Sequence, residues 1–302
     1  MNNKDDLFGV VVPIITPVDD NDCVDESAFR KLIQILINSG VNGLFIGGSA
    51  GEGPLLTDTE WRRMMEIAFD ENKGQVFLFA GTNDTSTARA KEKVKAVKEI
   101  GYKCFVLTST YYLASHTAEE RLRFFGACKE AGGDMEMIAY NIPQNIGKEI
   151  FVETLCELAK RKWIRYCKES SGNVEYFKRL AAEGGQVGLK VFEGDEQTMA
   201  DGLAAGACGI VPVCANYEPR TYVDLYQAAA NQDFDKVRQF HRRVLYLKEK
   251  LVLSGPFWLT GIKYAVSTLG IGNGRTVGPL EQVNEKQKAV IDDIRDKLAL
   301  SS

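Results

Sequence analysis

Trp163-Ile-Arg-Tyr-Cys-Lys-Glu-Ser-Ser-Gly172 is a strand-like run that ends in a single lysine, Lys168, and then breaks into a small polar turn. The turn continues as Ser171-Gly172-Asn173 and can open a helix, because small polar side chains there accept hydrogen bonds from the first free backbone N–H groups. The same unit recurs along the chain. Short apolar runs lie at residues 8–15, 43–47, 76–80, 104–108, 135–140, 164–168, 189–192 and 209–213, which makes eight strand candidates. Between them, residues 26–38, 59–69, 86–100, 118–130, 150–160, 174–182 and 196–205 carry apolar side chains three and four positions apart, as one buried helix face requires. Asn83-Asp84-Thr85-Ser86 offers a cap for the third of these helices.

Eight buried strands alternating with helices, at a spacing of about thirty residues, predict an α/β fold of the (β/α)8 TIM barrel type. A doubly wound sheet with a dinucleotide turn is the weaker reading, since no GxGxxG follows the first run. After the eighth run the pattern is helical throughout, at 222–230, 234–253, 260–269 and 281–300, which predicts a C-terminal helical extension. The chain reads as a single domain over residues 1–302, with the barrel in about 1–218 and the added helices in 219–302.

Composition narrows the function. The chain has 302 residues, 45% hydrophobic and 26% charged, with a net charge of −4. Without a block of Lys or Arg it shows no electrostatic footprint for nucleic acid or anionic membrane. The apolar run at 8–15 is too short to span a bilayer, and Asp5 and Asp6 precede it where a signal peptide carries positive charge, so a cytoplasmic location is expected. Seven cysteines (Cys23, Cys104, Cys128, Cys156, Cys167, Cys208, Cys214) form an odd set with no CxxC and read as reduced, mostly buried thiols. Two histidines, His116 and His241, are too few and too far apart for a typical zinc site, so no metal is expected, although an all-oxygen magnesium site stays open.

In barrels of this kind the chemistry sits at the C-terminal ends of the strands. Lys168 at such an end has two readings. It can snorkel to water or pair with Glu169, or it can be buried with a lowered pKa and act as an amine nucleophile in Schiff-base chemistry. The second strand ends in Gly47-Gly-Ser-Ala-Gly-Glu-Gly53, where backbone amides can meet an anion such as a carboxylate, or simply form a tight turn. The fourth ends in Thr108-Ser-Thr-Tyr-Tyr112 and the fifth in Ala139-Tyr140-Asn-Ile-Pro143. Single tyrosines there are usually packed rings, yet two phenols and a serine around one lysine make a proton relay without histidine. The seventh ends in Glu193-Gly-Asp195-Glu196, carboxylates that either cap the next helix or accept hydrogen bonds from a polyhydroxylated substrate. A phosphate-handling barrel is disfavoured, since those carboxylates stand where a phosphate turn would be.

Together these segments resemble the dihydrodipicolinate synthase and N-acetylneuraminate lyase family of class I, pyruvate-dependent aldolases. The resemblance runs through Gly48-Ser-Ala-Gly-Glu52, Tyr111-Tyr112, Tyr140-Asn-Ile-Pro143, Lys168-Glu-Ser-Ser-Gly172, Gly194-Asp-Glu196 and Gly206-Ala-Cys-Gly-Ile210. It implies that Lys168 forms an imine with a 2-oxo acid, that Tyr140 is the acid/base, and that Ser49 and Tyr112 complete the relay. Ser49 and Ala50 would bind the pyruvyl carboxylate, and Ser170, Asp195, Glu196 and Ile210 further parts of the substrate. The partners it implies are pyruvate and an aldehyde, with no cofactor beyond the lysine imine, in a homotetramer in which Tyr111 stands near a neighbouring subunit's site. Two positions depart from the synthase pattern. Asn145 stands where synthases carry an arginine for a second carboxylate, and Ala50 where a threonine is common. Gly194-Asp-Glu196 is similar to the stretch that contacts the polyhydroxyl tail in sialate lyases, and Gly48-Ser-Ala-Gly-Glu52 to the small-residue loop of 2-keto-3-deoxygluconate aldolase-like members, so the expectation is an aldolase of 2-keto-3-deoxy sugar acids. Sialate lyase, dihydrodipicolinate synthase and a non-catalytic 2-oxo acid sensor are the alternatives.

Overall fold

A computed structural model describes residues 6–115, 117–255 and 257–299. Eight parallel strands close into a barrel in chain order: β1 (Gly9–Pro13), β2 (Gly43–Ile46), β3 (Phe77–Gly81), β4 (Cys104–Thr108), β5 (Glu136–Asn141), β6 (Ile164–Glu169), β7 (Lys190–Glu193) and β8 (Gly209–Ile210). Helices α1 (Glu26–Asn38), α2 (Asp58–Asn72), α3 (Thr87–Ile100), α4 (Ala118–Gly132), α5 (Pro143–Ile146), α6 (Val152–Lys160), α7 (Val174–Gly185) and α8 (Met199–Ala204) lie in the connections. The rest is helical, α9 (Pro219–Ala230), α10 (Phe234–Leu247), α11 (Thr260–Thr268) and α12 (Glu285–Ala299), so the predicted barrel and its helical extension are both present.

The strands read as unbroken apolar runs because both of their faces are buried. Residues paired in register across parallel strands point the same way, so side chains alternate between two cores. Val11, Phe45, Phe79, Val106, Ile138, Tyr140, Tyr166, Phe192 and Val211 fill the lumen. Val10, Val12, Leu44, Ile46, Leu107, Ala139, Cys167 and Ile210 meet the helices instead. Helix starts follow their caps: Asn173 Oδ1 accepts from the amides of Glu175 and Tyr176 at 3.1 Å, and Ser86 Oγ from that of Arg89 at 3.4 Å.

Three elements differ from the sequence reading. Helix α5 is unanticipated: it is one turn, begun by a proline whose missing N–H costs nothing at that position and stopped by Gly147 at φ +76°. The expected helix over 196–205 begins only at Met199, because Asp195 Oδ1 accepts from the Gln197 amide at 2.8 Å and turns the chain first. The expected helix over 234–253 is α-helical only to Leu247 and finishes as a π-helical turn, Lys248–Val252. All seven cysteines are free thiols, five buried and two half-buried. Among the described residues no helix is long and apolar enough to cross a membrane, and no group of three His, Cys, Asp or Glu is placed to hold a metal ion. His116 lies outside the described residues, and His241 Nε2 meets the Glu196 carbonyl at 3.0 Å.

Candidate active site

Thr108, Tyr140, Lys168 and Phe192 stand in one row across β4, β5, β6 and β7, each the register partner of the next. All four therefore face the lumen at its C-terminal end. Lys168 is only 7% exposed. Its Nζ lies 4.1 Å from the Tyr140 ring centre and 5.0 Å from that of Phe45. Among the described residues no carboxylate comes within ion-pair distance of it, and burial lowers its pKa to about 7. Glu169, one residue on, points to the other face. Its Oε1 accepts from Asn141 Nδ2 and from the Ser171 amide, both at 2.9 Å. The pairing of Lys168 with Glu169, open at the sequence level, is thus ruled out by strand alternation. Lys168 is a desolvated amine with aromatic faces for neighbours.

Tyr140 is 3% exposed and packs edge-on against Phe45, ring centres 6.0 Å apart. Burial pushes its phenol up to about 12, while the neighbouring hydroxyls of Ser170 and Ser49 pull in the other direction. Ser170 Oγ and Thr108 Oγ1 are buried without a well-formed hydrogen bond. Ser49 is half-buried and Ala50 buried, in the loop after β2. The loop is packed backbone to backbone at Gly47: a Cβ on Gly53 in the same loop, or on Gly81 at the end of β3, would lie 2.2 or 2.4 Å from the Gly47 carbonyl oxygen.

Three expected site residues, Tyr112, Ile210 and Glu196, direct their side chains away from the lumen of this barrel. Tyr112 is 91% exposed at φ +69°, on the outer tip of the β4–α4 loop, so its own barrel does not receive its phenol. Tyr111, expected near a neighbour, is half-buried against the helical core. The Ile210 side chain is fully buried among the helices because alternation along β8 gives the lumen to Val211. Glu196 is buried outside the barrel wall, where Oε1 accepts from the Cys214 amide at 2.8 Å and Tyr222 Oη at 2.9 Å, and Oε2 from Cys214 Sγ at 3.4 Å. Both oxygens are spent on the fold. Asp195 is intermediate: Oδ1 pairs with Lys248 Nζ at 2.6 Å, while Oδ2 lies beside Gly172. Asn145 is exposed on α5.

Phe45 belongs to the site without having been named from the sequence, and Thr108 and Gly194 belong to it although they were read only as parts of longer strand-end segments. A Cβ on Gly194 would lie 2.0 Å from Ser170 Oγ and 2.9 Å from Lys168 Cε, so only glycine leaves room beside the amine. Counting inward parity back from Lys168 along paired strands finds Phe45 and Thr108, but that needs the register, which the sequence does not print. The assembled set is one neutral-capable amine, a buried phenol and free hydroxyls in an apolar mouth. It can form an imine and move protons beside it.

The chain matches the model of the dihydrodipicolinate synthetase family over residues 6–297. It is 30% identical to a 4-hydroxy-tetrahydrodipicolinate synthase of Trichlorobacter lovleyi over 97% of this chain and 99% of that one. It is 29% identical to N-acetylneuraminate lyase 2 of Escherichia coli over 96% and 94% of the two chains. Among solved structures, dihydrodipicolinate synthase from Aquifex aeolicus superposes with a TM-score of 0.90 at 27% identity, covering 97% of this chain and 99% of that one.

Proposed function

The chain belongs to the dihydrodipicolinate synthetase family, whose members are carbon–carbon lyases of the class I aldolase type, and on that footing we propose that it reversibly cleaves a 2-keto-3-deoxy sugar acid to pyruvate and a hydroxyaldehyde through an imine on Lys168. The observation that carries this reading is the unpaired Lys168 amine, held near pKa 7 by burial against Tyr140 and Phe45. A neutral amine adds to the C2 carbonyl, and loss of water from the carbinolamine gives the protonated imine. Tyr140 shuttles the protons of both steps and takes the C4 hydroxyl proton as the C3–C4 bond breaks. The C3–C4 bonding pair becomes the C2–C3 double bond as the imine π pair moves onto nitrogen, so the pyruvyl half leaves the cleavage as an enamine, the aldehyde departs, and protonation at C3 followed by hydrolysis frees pyruvate. The imine is itself the electron sink, so the chemistry as written needs no metal.

For the carboxylate of the 2-oxo acid we assign Ser49 and the Ala50 amide. For the tail we assign Ser170, whose buried hydroxyl stands beside the Tyr140 phenol, and the open oxygen of Asp195. Several similar relatives are named as synthases, which favours condensation with an aldehyde carrying a second carboxylate. Asn145 weighs against it, since an amide supplies neither the charge nor the fork of a guanidinium. For an assembly, the exposure of Tyr112 supports its reaching a neighbouring subunit.

Sodium borohydride with pyruvate is expected to add an irreversible adduct at Lys168, found by mass spectrometry of the peptide. A folded protein with that peptide unmodified would overturn the aldolase reading. A pyruvate-release screen over sugar acids and sialate, run beside condensation of pyruvate with aspartate semialdehyde, separates the branches.

A further inference from the structure

The loop that carries Ser49 and Ala50 is anchored from outside the barrel. Within it Glu52 sits at φ +54°, a left-handed conformation that strains a residue with a side chain. Its carboxylate reaches into the C-terminal extension: Oε2 lies 2.5 Å from Lys263 Nζ on α11, and Oε1 accepts at 2.8 Å from the amide of Val277, in the segment between α11 and α12. The two side chains of the pair are shut off from water, Lys263 at 2% and Glu52 at 1% exposure. The Glu52 amide in turn donates to the Ser49 carbonyl at 3.2 Å, and the Glu52 carbonyl accepts from the Leu55 amide at 2.8 Å. Fixing Glu52 therefore fixes the Ser49–Ala50 peptide unit through its carbonyl. Helix α11 is itself seated closely, since a Cβ on Gly261 would lie 2.1 Å from the Leu251 carbonyl oxygen. A buried ion pair is seldom more stabilising than apolar side chains of the same size, so stability alone does not account for this one.

We infer that Lys263 is a positioning residue for the reaction: through Glu52 it holds the Ser49–Ala50 peptide in the orientation that receives the carboxylate of the 2-oxo acid. The C-terminal helices then form part of the active site without lending it a contact to the substrate. The inference rests on the assignment of Ser49 and Ala50 as the carboxylate-binding loop under the imine mechanism.

The double variant Glu52→Gln/Lys263→Met removes both charges and leaves neither buried alone. With folding checked by circular dichroism and cooperative melting, the pyruvate concentration that gives half-maximal borohydride trapping is expected to rise about tenfold or more, as loss of orientation demands. The trapping rate at saturating pyruvate is expected to stay near that of the unsubstituted protein, a split that a merely structural role does not produce. Lys263→Arg, which keeps the charge and changes the reach, provides the second measurement should the double variant not fold, and the same rise is expected. A folded variant of either kind with an unchanged pyruvate requirement, beside normal trapping of the unsubstituted protein, overturns the positioning role alone. Absence of trapping in the unsubstituted protein overturns the imine mechanism and this inference with it.

Discussion

Among the described residues three lysines are buried, and two of them, Lys168 and Lys263, have opposite surroundings. Lys168, next to last in β6, lies in the barrel mouth with aromatic faces around its amine and, among the described residues, no carboxylate at ion-pair distance, whereas Lys263 on α11 meets Glu52 at 2.5 Å. Burial lowers the pKa of both, and only Lys263 has a counter-charge that works against that shift. Desolvation by itself makes a nucleophile; desolvation with a partner makes a clamp. Lys93, 9% exposed and 2.9 Å from Asp84, belongs with Lys263.

The contrast is broken most directly by removing each amine in turn. Lys168→Met is expected to lower turnover by about 10⁴-fold or more, because the covalent step is lost and not merely slowed. Measured pyruvate release within tenfold of the parent protein would deny Lys168 its role. Tyr140→Phe is expected to cost roughly 10²–10⁴-fold in kcat with the melting temperature little changed, since the ring still packs against Phe45. Unaltered kcat would remove the phenol from proton transfer.

Stability should respond with opposite signs. Lys263→Met leaves Glu52 buried without its cation and is expected to destabilise by about 3–5 kcal/mol in urea titration. Lys168→Met is expected to stabilise. The folded protein keeps the Lys168 amine neutral above about pH 7, where an unfolded chain holds the proton up to the ordinary value of 10.5. Over that window the unfolded state binds more protons, so the parent gains stability as pH rises, and the methionine variant should lack that slope. Equal slopes in the two proteins would mean that Lys168 is not desolvated. In the same sense, trapping by borohydride at saturating pyruvate should rise with pH through about 7 as the amine is freed. The smallest expected effect is at the rim: Asn145→Arg should raise the rate of condensation with aspartate semialdehyde over the parent, and no change would place substrate choice elsewhere.

The fold was largely legible because strands buried on both faces and helices buried on one leave different periods in the sequence. Misreadings came where side chains compete with those periods: a proline starting a one-turn helix at Pro143, and Asp195 delaying α8. The site was legible in its central residues, Lys168 and Tyr140, and less so at its edges. Glu196 and Asp195 are neighbours of the same charge at one strand end, yet Glu196 turns to Tyr222 and Cys214 while Asp195 pairs with Lys248. Ile210 and Val211 are likewise adjacent and apolar, and only strand parity decides which one faces the lumen.

By itself the sequence determined the succession of strands and helices, the placement of a lysine and a tyrosine at the ends of adjacent strands, and the absence of an arginine at position 145, since these are properties of local order along the chain. Tertiary structure alone decided that Lys168 has no carboxylate partner while Lys263 does, that Phe45 supplies part of the desolvation, and that a helix more than 200 residues away holds the loop of Ser49. The physical reason is that a pKa and a hydrogen bond depend on what lies within a few ångströms, and closing the barrel sets those distances between residues far apart in the chain.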